Sequence, residues 1–257
     1  MPDSIEIAAA LLGRAKRVVI FTGAGISAES GIPTYRDPMQ GLWSHYDPET
    51  LETARAFRDD AALVWGWYVW RRAKFGLAEP NPAHFAVAEL AKHCDVTVVT
   101  QNIDDLHERS GSTEVVHLHG SLNVAKCFAC EREAVTESLS FQSVNEAQRI
   151  EPPRCRRCNG KLRPGIVWFG ENLPMRAWNK AKTAAKECDV LLSIGTSGVV
   201  FPAAEIPKIA LRSGASVIHI NPVEVAPLQA KEIAVIGNAA KSLPDIIDLM
   251  RRSLDYS

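Results

Sequence analysis

Apolar runs rich in β-branched residues recur along the chain and predict buried strands. Continuous runs of this kind are typical of strands covered on both faces, as in a parallel sheet. They lie at residues 17–22, 96–100, 190–194, 216–220 and 233–236. Helical patterns separate them, at residues 4–15, 82–93, 175–187, 203–213 and 243–254. Strands that alternate with helices predict an α/β fold with a doubly wound, Rossmann-type parallel sheet.

Two segments interrupt this alternation. Residues 38–80 are rich in Trp and Arg and have a helical pattern, while residues 121–166 contain paired cysteines among polar residues. We interpret both as insertions that form a smaller lobe. The Rossmann-type domain then comprises residues 1–37, 81–120 and 167–257. A cleft between the lobes is expected at the carboxyl ends of the strands, where open α/β sheets bind ligands.

Composition narrows the class of protein. The chain has 257 residues, 46% of them hydrophobic, which is enough for a core that does not depend on disulfides. The net charge of -1 gives no basic surplus, so we expect no nucleic-acid partner, although a local basic patch stays open. The amino terminus has Asp3 and Glu6 where a secretory signal would have Lys or Arg. No apolar run approaches the roughly 18 residues of a membrane span. We therefore expect a cytoplasmic protein with no membrane contact. We also expect a monomer, although nothing in the composition bears on the oligomeric state.

Four of the six cysteines form a double C-x-x-C pattern, with 24 residues between the pairs. They are Cys127, Cys130, Cys155 and Cys158. Two thiolates three residues apart can hold one face of a tetrahedral ion, and a second pair can close the other. Redox pairs or chance pairs are the alternative, but the spacing favours one Zn²⁺ in a ribbon. Four protein ligands leave no open position, which indicates a structural metal.

A glycine-rich turn follows the first predicted strand. Gly23 and Gly25 would let backbone N–H groups approach a pyrophosphate, as in dinucleotide sites. The third glycine, Gly31, comes later than the G-x-G-x-x-G spacing requires. By itself the turn therefore leaves a dinucleotide site and a plain tight turn equally open. No clear ribose-binding acid follows about 20 residues later, so a dehydrogenase is poorly supported.

Four sequence blocks, in this order, closely resemble the sirtuin family. They are GAGISAESGIPTYR at 23–36, TQNID at 100–104, HLHG at 117–120 and GTS at 195–197. The resemblance covers nearly the whole chain. Within the family, the chain is similar to the bacterial and archaeal class whose members carry a Tyr-x-x-Arg motif. The resemblance implies an NAD-consuming protein-lysine deacylase with a Rossmann-type domain and a small zinc-stabilised lobe.

The resemblance also implies a set of NAD contacts. The full set is Gly23, Ala24, Gly25, Ser27, Tyr35, Arg36, Gln101, Asn102, Ile103, Asp104, Gly195, Thr196, Ser197, Asn221 and Ala239. Arg36 belongs to the cofactor loop near phosphate and ribose, and Gln101 touches the ribose. Asn221 is expected at the adenosine ribose and Ala239 against the adenine. Taken singly, Ser197 and Asn221 are also typical of loop caps and turns.

The resemblance selects His119 as the general base, near a ribose edge, and a neutral imidazole suits that task. His117 and His119 lie in a strand-like stretch, where alternation points both to one face, and we interpret His117 as structural. Asn102 and Asp104 complete the catalytic set by orienting the ribose and the nicotinamide carboxamide. Asp104 is also placed to cap the helix that follows, and both roles are compatible.

The implied reaction is not hydride transfer. The carbonyl oxygen of an acyl-lysine attacks C1′ of the nicotinamide ribose, nicotinamide leaves, and His119 then activates a ribose hydroxyl. The products are lysine, nicotinamide and O-acyl-ADP-ribose. Mono-ADP-ribosylation and a non-catalytic NAD-sensing zinc module remain as alternatives.

Residues Val167, Trp168, Phe169 and Gly170 resemble the family strand that pairs with the substrate peptide. Backbone pairing gives affinity with little selectivity for peptide sequence. We therefore expect acylated lysine peptides or proteins as partners, with these apolar side chains beside the acyl-lysine.

Tyr68 and Arg71 stand at i and i+3 of a helical pattern and share a face. They match the Tyr-x-x-Arg pattern of sirtuins that prefer succinyl- and malonyl-lysine, since the arginine fork suits a carboxylate. The alternative is an amphipathic helix whose Tyr and Arg only pack. Asp37 and Met39 depart from the small residues expected in that loop, where they would narrow the pocket or repel a carboxylate. We expect both deacetylase and desuccinylase or demalonylase activity.

Overall fold

The computed structural model describes residues 3–32, 48–134, 148–223 and 229–255. The helices in these ranges are α1 (Ser4–Arg14), α2 (Pro48–Leu51), α3 (Ala54–Asp59), α4 (Ala61–Leu77), α5 (Pro82–Leu90), α6 (Leu106–Arg109), α7 (Met175–Glu187), α8 (Glu205–Arg212) and α9 (Ala239–Asp255). The strands are β1 (Arg17–Thr22), β2 (Asp95–Thr100), β3 (Val115–His117), β4 (Gly120–Cys127), β5 (Glu133–Ala134), β6 (Leu162–Ile166), β7 (Val190–Ile194), β8 (Ser216–Asn221) and β9 (Glu232–Ile236). Among these helices, none combines the length and the apolar character that a bilayer span requires.

Six strands form one parallel sheet in the order β3-β2-β1-β7-β8-β9. This is the order of a Rossmann-type sheet, with the reversal of strand order between β1 and β7. The predicted doubly wound α/β fold is confirmed, and the five predicted strands match observed strands to within one residue at either end. The short β3 was not predicted at the edge of the sheet. It ends at His117, so His119 lies in a turn and not in the strand-like stretch that we expected.

Helices cover both faces of this sheet. On one face, Ile20 and Leu192 pack with Leu12 of α1, Leu90 of α5 and Leu243 of α9. On the other face, the adjacent strand positions pack against α7 and α8. These positions are Val19, Phe21, Leu191 and Val217. Because the central strands β1 and β7 are buried on both sides, their sequences read as continuous apolar runs. Each fully buried aliphatic or aromatic side chain contributes about 1.5–3 kcal/mol.

The other three strands form a small antiparallel sheet in the order β5-β4-β6. Gly120 starts β4 with a φ of +76°, and a Cβ there would lie 2.1 Å from the Gly165 carbonyl oxygen. Helix α4 packs Trp65 and Val69 against this sheet, next to Leu162. This sheet and helices α2–α4 carry the two interruptions of the alternating pattern. The lobe boundaries proposed from the sequence stay predictions, since residues 38–47 and 135–147 lie outside the described ranges.

Candidate active site and metal centre

The glycine turn lies at the carboxyl ends of β1 and β7, where the strand order reverses. The Gly23 N–H donates to the Ile194 carbonyl oxygen (3.0 Å), and the Gly25 N–H donates to that of Gly195 (2.9 Å). A Cβ on Gly25 would lie 2.6 Å from the Gly195 Cα, and Gly195 itself has a φ of +62°. The two loops therefore meet backbone to backbone, which only glycine allows. The short 3₁₀ turn Ala24–Ile26 follows directly.

Three predicted side chains are linked to one another between the loops that follow β1 and β2. The Ser27 hydroxyl donates to the Asp104 carboxylate (3.1 Å) and accepts from the Asn102 amide (3.1 Å). All three residues are buried, and burial raises the pKa of Asp104. The Asp104 carboxylate also accepts from the Leu106 N–H at the start of α6 (3.2 Å). The N-cap residue of α6 is Asp105, and its side chain makes no cap hydrogen bond, so the prediction that Asp104 caps this helix is wrong by one residue. Ile103 lies between them, and its carbonyl oxygen accepts from the Leu122 N–H of β4 (3.0 Å).

A second linked set joins the carboxyl ends of β2, β7 and β8. The Gln101 amide donates to the Thr196 hydroxyl (3.0 Å), and the Asn221 amide donates to the Thr196 carbonyl oxygen (3.2 Å). Ser197 is exposed at the edge of this set. Ala239 is buried at the start of α9, where the next N–H, that of Ala240, donates to the carboxylate of Glu29 (2.8 Å).

His119 lies at the junction of the two sheets. Its Nδ1 is 2.9 Å from the Gln101 carbonyl oxygen, and its own carbonyl oxygen accepts from the Val167 N–H (2.8 Å). A carbonyl oxygen only accepts, so Nδ1 carries the proton and the neutral ring has its lone pair on Nε2. Burial lowers the pKa of His119, and this outweighs the raising effects of the Gln101 hydrogen bond and the Glu52 charge. The imidazole is therefore neutral at pH 7 and able to accept a proton at Nε2.

His117 differs from His119 in charge. Its Nδ1 is 3.1 Å from the Asn102 carbonyl oxygen and its Nε2 is 2.7 Å from the Glu108 carboxylate. Burial acts to lower the pKa of His117, but the hydrogen bond and charge of Glu108, together with the Asn102 hydrogen bond and the Asp104 charge, raise it overall. With an acceptor at each nitrogen, this ring favours the protonated form. That environment fits the structural role predicted for it.

A cluster of neutral polar groups lies next to the glycine turn, at the carboxyl ends of β1 and β2. The Thr22 hydroxyl donates to that of Thr100 (2.8 Å) and lies 3.1 Å from His107 Nε2. His84 packs edge-on against His107, with ring centroids 5.1 Å apart. Burial lowers the pKa of His107 to about 3 and that of His84 to about 4. Both rings are therefore neutral at physiological pH.

The predicted peptide-pairing segment, residues 167–170, is tied to the rest of the site through its backbone. Besides the Val167 contact with His119, the Phe169 N–H donates to the Glu52 carbonyl oxygen (2.9 Å). The Trp168 side chain is buried, stacks on Tyr68 and contacts Phe57 at a tilted angle, while Phe169 and Gly170 are exposed. Trp168 therefore anchors the segment, and its neighbours are accessible.

An ion pair that no sequence motif indicates holds this segment in place. Arg163 is buried, stacks on Trp168 with its guanidinium carbon 3.2 Å from the ring centroid, and donates to the Glu171 carboxylate (3.0 Å). Glu171 also accepts from the Trp168 N–H (2.9 Å). The only signal in the sequence was an Arg and a Glu eight residues apart around the apolar segment.

Tyr68 and Arg71 lie on one face of α4, beside the peptide-pairing segment. The Trp168 indole N–H donates to the Tyr68 hydroxyl oxygen (2.9 Å). The Arg71 guanidinium lies over the rings of Trp67, Tyr68 and Phe75, with centroid distances of 5.3, 6.0 and 5.3 Å. It forms an ion pair with Glu52, a residue that no sequence motif singled out.

The four paired cysteines converge in space, and their sulfur atoms all lie within 4.8 Å of one another. Sulfurs at the corners of a zinc tetrahedron are about 3.8 Å apart, and here Cys127–Cys158 and Cys130–Cys155 are separated by 3.4 and 3.9 Å. The two C-x-x-C turns have the same geometry. In the first turn the Glu131 N–H donates to the Cys127 carbonyl oxygen (3.0 Å), and in the second the Asn159 N–H donates to the Cys155 carbonyl oxygen (2.9 Å). The donor set fits one Zn²⁺ with a closed shell.

Some predicted residues lie outside the described ranges. These are Tyr35 and Arg36 of the NAD set, together with Asp37 and Met39 of the same loop.

Comparisons with known proteins agree with this geometry. A family profile described as the Sir2 family matches residues 23–202. The NAD-dependent protein deacylase of Pseudomonas putida is 56% identical over 246 residues, with 95% of this chain and 94% of the relative covered.

Solved structures give the same picture. A Sir2 homologue in complex with NAD has a TM-score of 0.85 at 42% identity, covering 97% of this chain and 94% of that one. Sir2Tm bound to a propionylated peptide has a TM-score of 0.75 at 30% identity, covering 98% of both chains.

Proposed function

The chain belongs to the Sir2 family, and from that premise we propose that it is an NAD-dependent protein-lysine deacylase releasing nicotinamide and O-acyl-ADP-ribose. One observation carries the proposal. His119 is a neutral, buried imidazole that joins the loop after β2, through Gln101, to the peptide-pairing segment, through Val167. A base in this position touches both the dinucleotide side and the peptide side of the site.

The residues after β1, β2 and β7 bind NAD as a co-substrate. The close backbone approach of Gly25 to Gly195 supports a pyrophosphate site at the switch point of the sheet. Asn102 and Asp104, which Ser27 holds in place, orient the nicotinamide ribose and the carboxamide. The Gln101–Thr196–Asn221 set continues toward the adenosine half. Tyr35, Arg36, Ser197 and Ala239 keep their expected roles as predictions.

His119 acts as the general base through Nε2. Its Nδ1–H donates to the Gln101 carbonyl oxygen, which fixes the ring and its tautomer. The acyl-lysine oxygen attacks C1′ as nicotinamide leaves, and His119 then removes the proton of a ribose hydroxyl, whose oxygen attacks the imidate carbon. The lysine amine leaves from that carbon, and addition of one water molecule gives O-acyl-ADP-ribose. A base of this kind contributes about 10²–10⁴-fold in rate.

The peptide substrate pairs with residues 167–170. This segment follows the end of β6 at Ile166 and is not itself part of a strand, contrary to the expectation from the sequence. It is held by Arg163 and Glu171, and the solved Sir2Tm complex contains a propionylated peptide. Backbone pairing accepts many sequences, so targets are defined more by the acyl-lysine than by its neighbours. The zinc ion stabilises the fold of the small lobe next to this segment.

Tyr68 and Arg71 extend the acyl range to succinyl- and malonyl-lysine. Two features support this role: both residues lie on one face of α4 beside Trp168, and the fork of the arginine guanidinium suits a carboxylate. A carboxylate among aromatic rings needs such a partner, because unpaired buried charge is costly.

The test is turnover of acetyl- and succinyl-lysine forms of one peptide, with and without NAD. Both are expected to react only with NAD. In Arg71→Met, succinyl turnover is expected to fall at least tenfold while acetyl turnover stays, and equal loss of both would refute the acyl assignment. The absence of nucleic-acid partners, the monomeric state and the cytoplasmic location stay predictions.

A further inference from the structure

Glu52 is a buried carboxylate at the centre of the proposed acyl site. Glu52 as a whole is 2% exposed, and it directly follows the last residue of α2. Its carbonyl oxygen accepts from the Phe169 N–H (2.9 Å), and its charge is close enough to act on the pKa of His119. Its carboxylate forms the ion pair with Arg71. Glu52 therefore contacts the peptide-pairing segment and the acyl-recognition arginine at once.

The Glu52–Arg71 pair is shielded from water. The two side chains are 3% and 13% exposed, and aromatic rings surround the guanidinium. Electrostatic interactions are stronger in such surroundings than in bulk solvent. Since the charges cancel, the site that would receive a substrate carboxylate already contains one.

We infer that Glu52 sets the acyl selectivity of this enzyme, because it neutralises Arg71 and so favours uncharged acyl groups over acyl groups that end in a carboxylate. The inference rests on the proposed function, in which the acyl chain reaches Arg71. Glu52 is a positioning and selectivity residue here, acting on the substrate through Arg71.

The selectivity follows from charge. An acetyl or longer apolar acyl group meets a neutral ion pair and pays no electrostatic cost. A succinyl carboxylate must share one guanidinium with Glu52, and two carboxylates around one cation repel each other. The alternative is that Glu52 only holds the guanidinium of Arg71 in place. In that case, removing the charge of Glu52 would weaken the binding of a succinyl group. The two accounts therefore predict changes of opposite sign.

The first experiment uses the unchanged protein. Three forms of one peptide carry acetyl-lysine, succinyl-lysine or the carboxamide isostere of succinyl-lysine, which has nearly the same shape but no charge. We expect kcat/KM for the carboxamide to exceed that for succinyl at least tenfold, mainly through a lower KM. A preference for succinyl over the carboxamide would overturn the inference.

The second experiment changes Glu52. In Glu52→Gln, the ratio of succinyl to acetyl kcat/KM is expected to rise at least tenfold, again mainly through the succinyl KM. In the double variant Glu52→Gln/Arg71→Met this rise should vanish, because the gain requires the arginine. The matched control is Glu79→Gln, an exposed partner of Arg109, which should leave the ratio unchanged.

The outcomes separate the two proposals. A ratio that stays constant or falls in Glu52→Gln, with acetyl turnover still measurable, overturns the role of Glu52 and leaves the deacylase intact. If no peptide form reacts with NAD in the unchanged protein, the proposed function itself fails. Should Glu52→Gln not fold, the carboxamide comparison alone decides the inference.

Discussion

The two sides of the proposed site are built from different kinds of contact. The nucleotide side, formed by the loops after β1, β2 and β7, uses close backbone approach and mainly uncharged groups such as Thr22, Ser27 and Asn102. The acyl side, formed by Glu52, α4 and residues 163–171, is held by two ion pairs, Glu52–Arg71 and Arg163–Glu171. Changes on the nucleotide side should therefore act through shape, and changes on the acyl side through charge.

His119 joins the two sides, so its loss should have the largest effect. His119→Asn keeps a polar side chain but removes the base, and we expect deacylation to fall by about 10²–10⁴-fold. The Kd for NAD should change little, because the backbone of the glycine turn is untouched. Steady-state turnover and calorimetric NAD binding measure both quantities. The control is His93→Asn at an exposed position, and a His119 variant with normal turnover would contradict the role of the base.

A methyl group at the glycine turn tests whether shape governs the nucleotide side. In Gly25→Ala the new Cβ would meet the Gly195 Cα at 2.6 Å, so one of the two loops must move. We expect the KM for NAD to rise at least tenfold, with less effect on the KM for the peptide. Gly76→Ala is the matched control, because a Cβ there meets nothing within 4 Å. An unchanged KM for NAD would show that the turn does not bind the dinucleotide.

Loss of one cysteine thiolate tests whether a four-cysteine zinc site stabilises the lobe that carries the acyl side. Cys130→Ser removes one of four metal ligands, and we expect the variant to lose its zinc and its Tm to fall by about 10 °C. Elemental analysis should find one zinc per chain in the unchanged protein. Cys94→Ser lies away from the cluster and should keep the metal. A Cys130 variant with full zinc content would reject the four-cysteine site.

Two buried histidines should make the stability of the fold depend on pH. Burial lowers the pKa of His107 to about 3 and that of His84 to about 4, whereas an unfolded histidine titrates near 6.5. Below pH 6.5 the unfolded chain binds the extra protons first, so these residues stabilise the fold above pH 6.5 and lose that contribution as the pH falls. Each should reduce the free energy of unfolding by about 1.4 kcal/mol per pH unit between 6.5 and its folded pKa.

Urea unfolding at pH 7 and pH 5 measures this dependence. A His107→Asn variant should show a shallower fall than the unchanged protein. Identical pH dependence in both would mean that His107 is not buried in its neutral form.

The sheet was predictable because its signals are local. Strand β1 is buried on both faces and appears in the sequence as the uninterrupted run 17–22. Strand β3 has three residues, too few for a periodic pattern, and was missed. The position of His119 in a turn, and not in a strand, depends on the chain leaving one sheet for the other at Gly120, which is a tertiary event.

The site was predictable in part for a related reason. Gly23, Gly25 and the C-x-x-C pairs are close in sequence, so their spacing carries the chemistry. Glu52 and Arg71 are 19 residues apart and meet only when α2 packs beside α4. Nothing in the sequence around Glu52 distinguishes it from a surface acid, so only the folded chain reveals its burial.

The central claim is tested most directly by product stoichiometry. One acetyl-lysine peptide is incubated with NAD, and free nicotinamide, deacylated peptide and O-acyl-ADP-ribose are quantified by mass spectrometry. The account predicts that the three products form in equal amounts and that none forms without NAD. ADP-ribose attached to protein with the acetyl group still on the peptide, or acetate released without NAD, would contradict it.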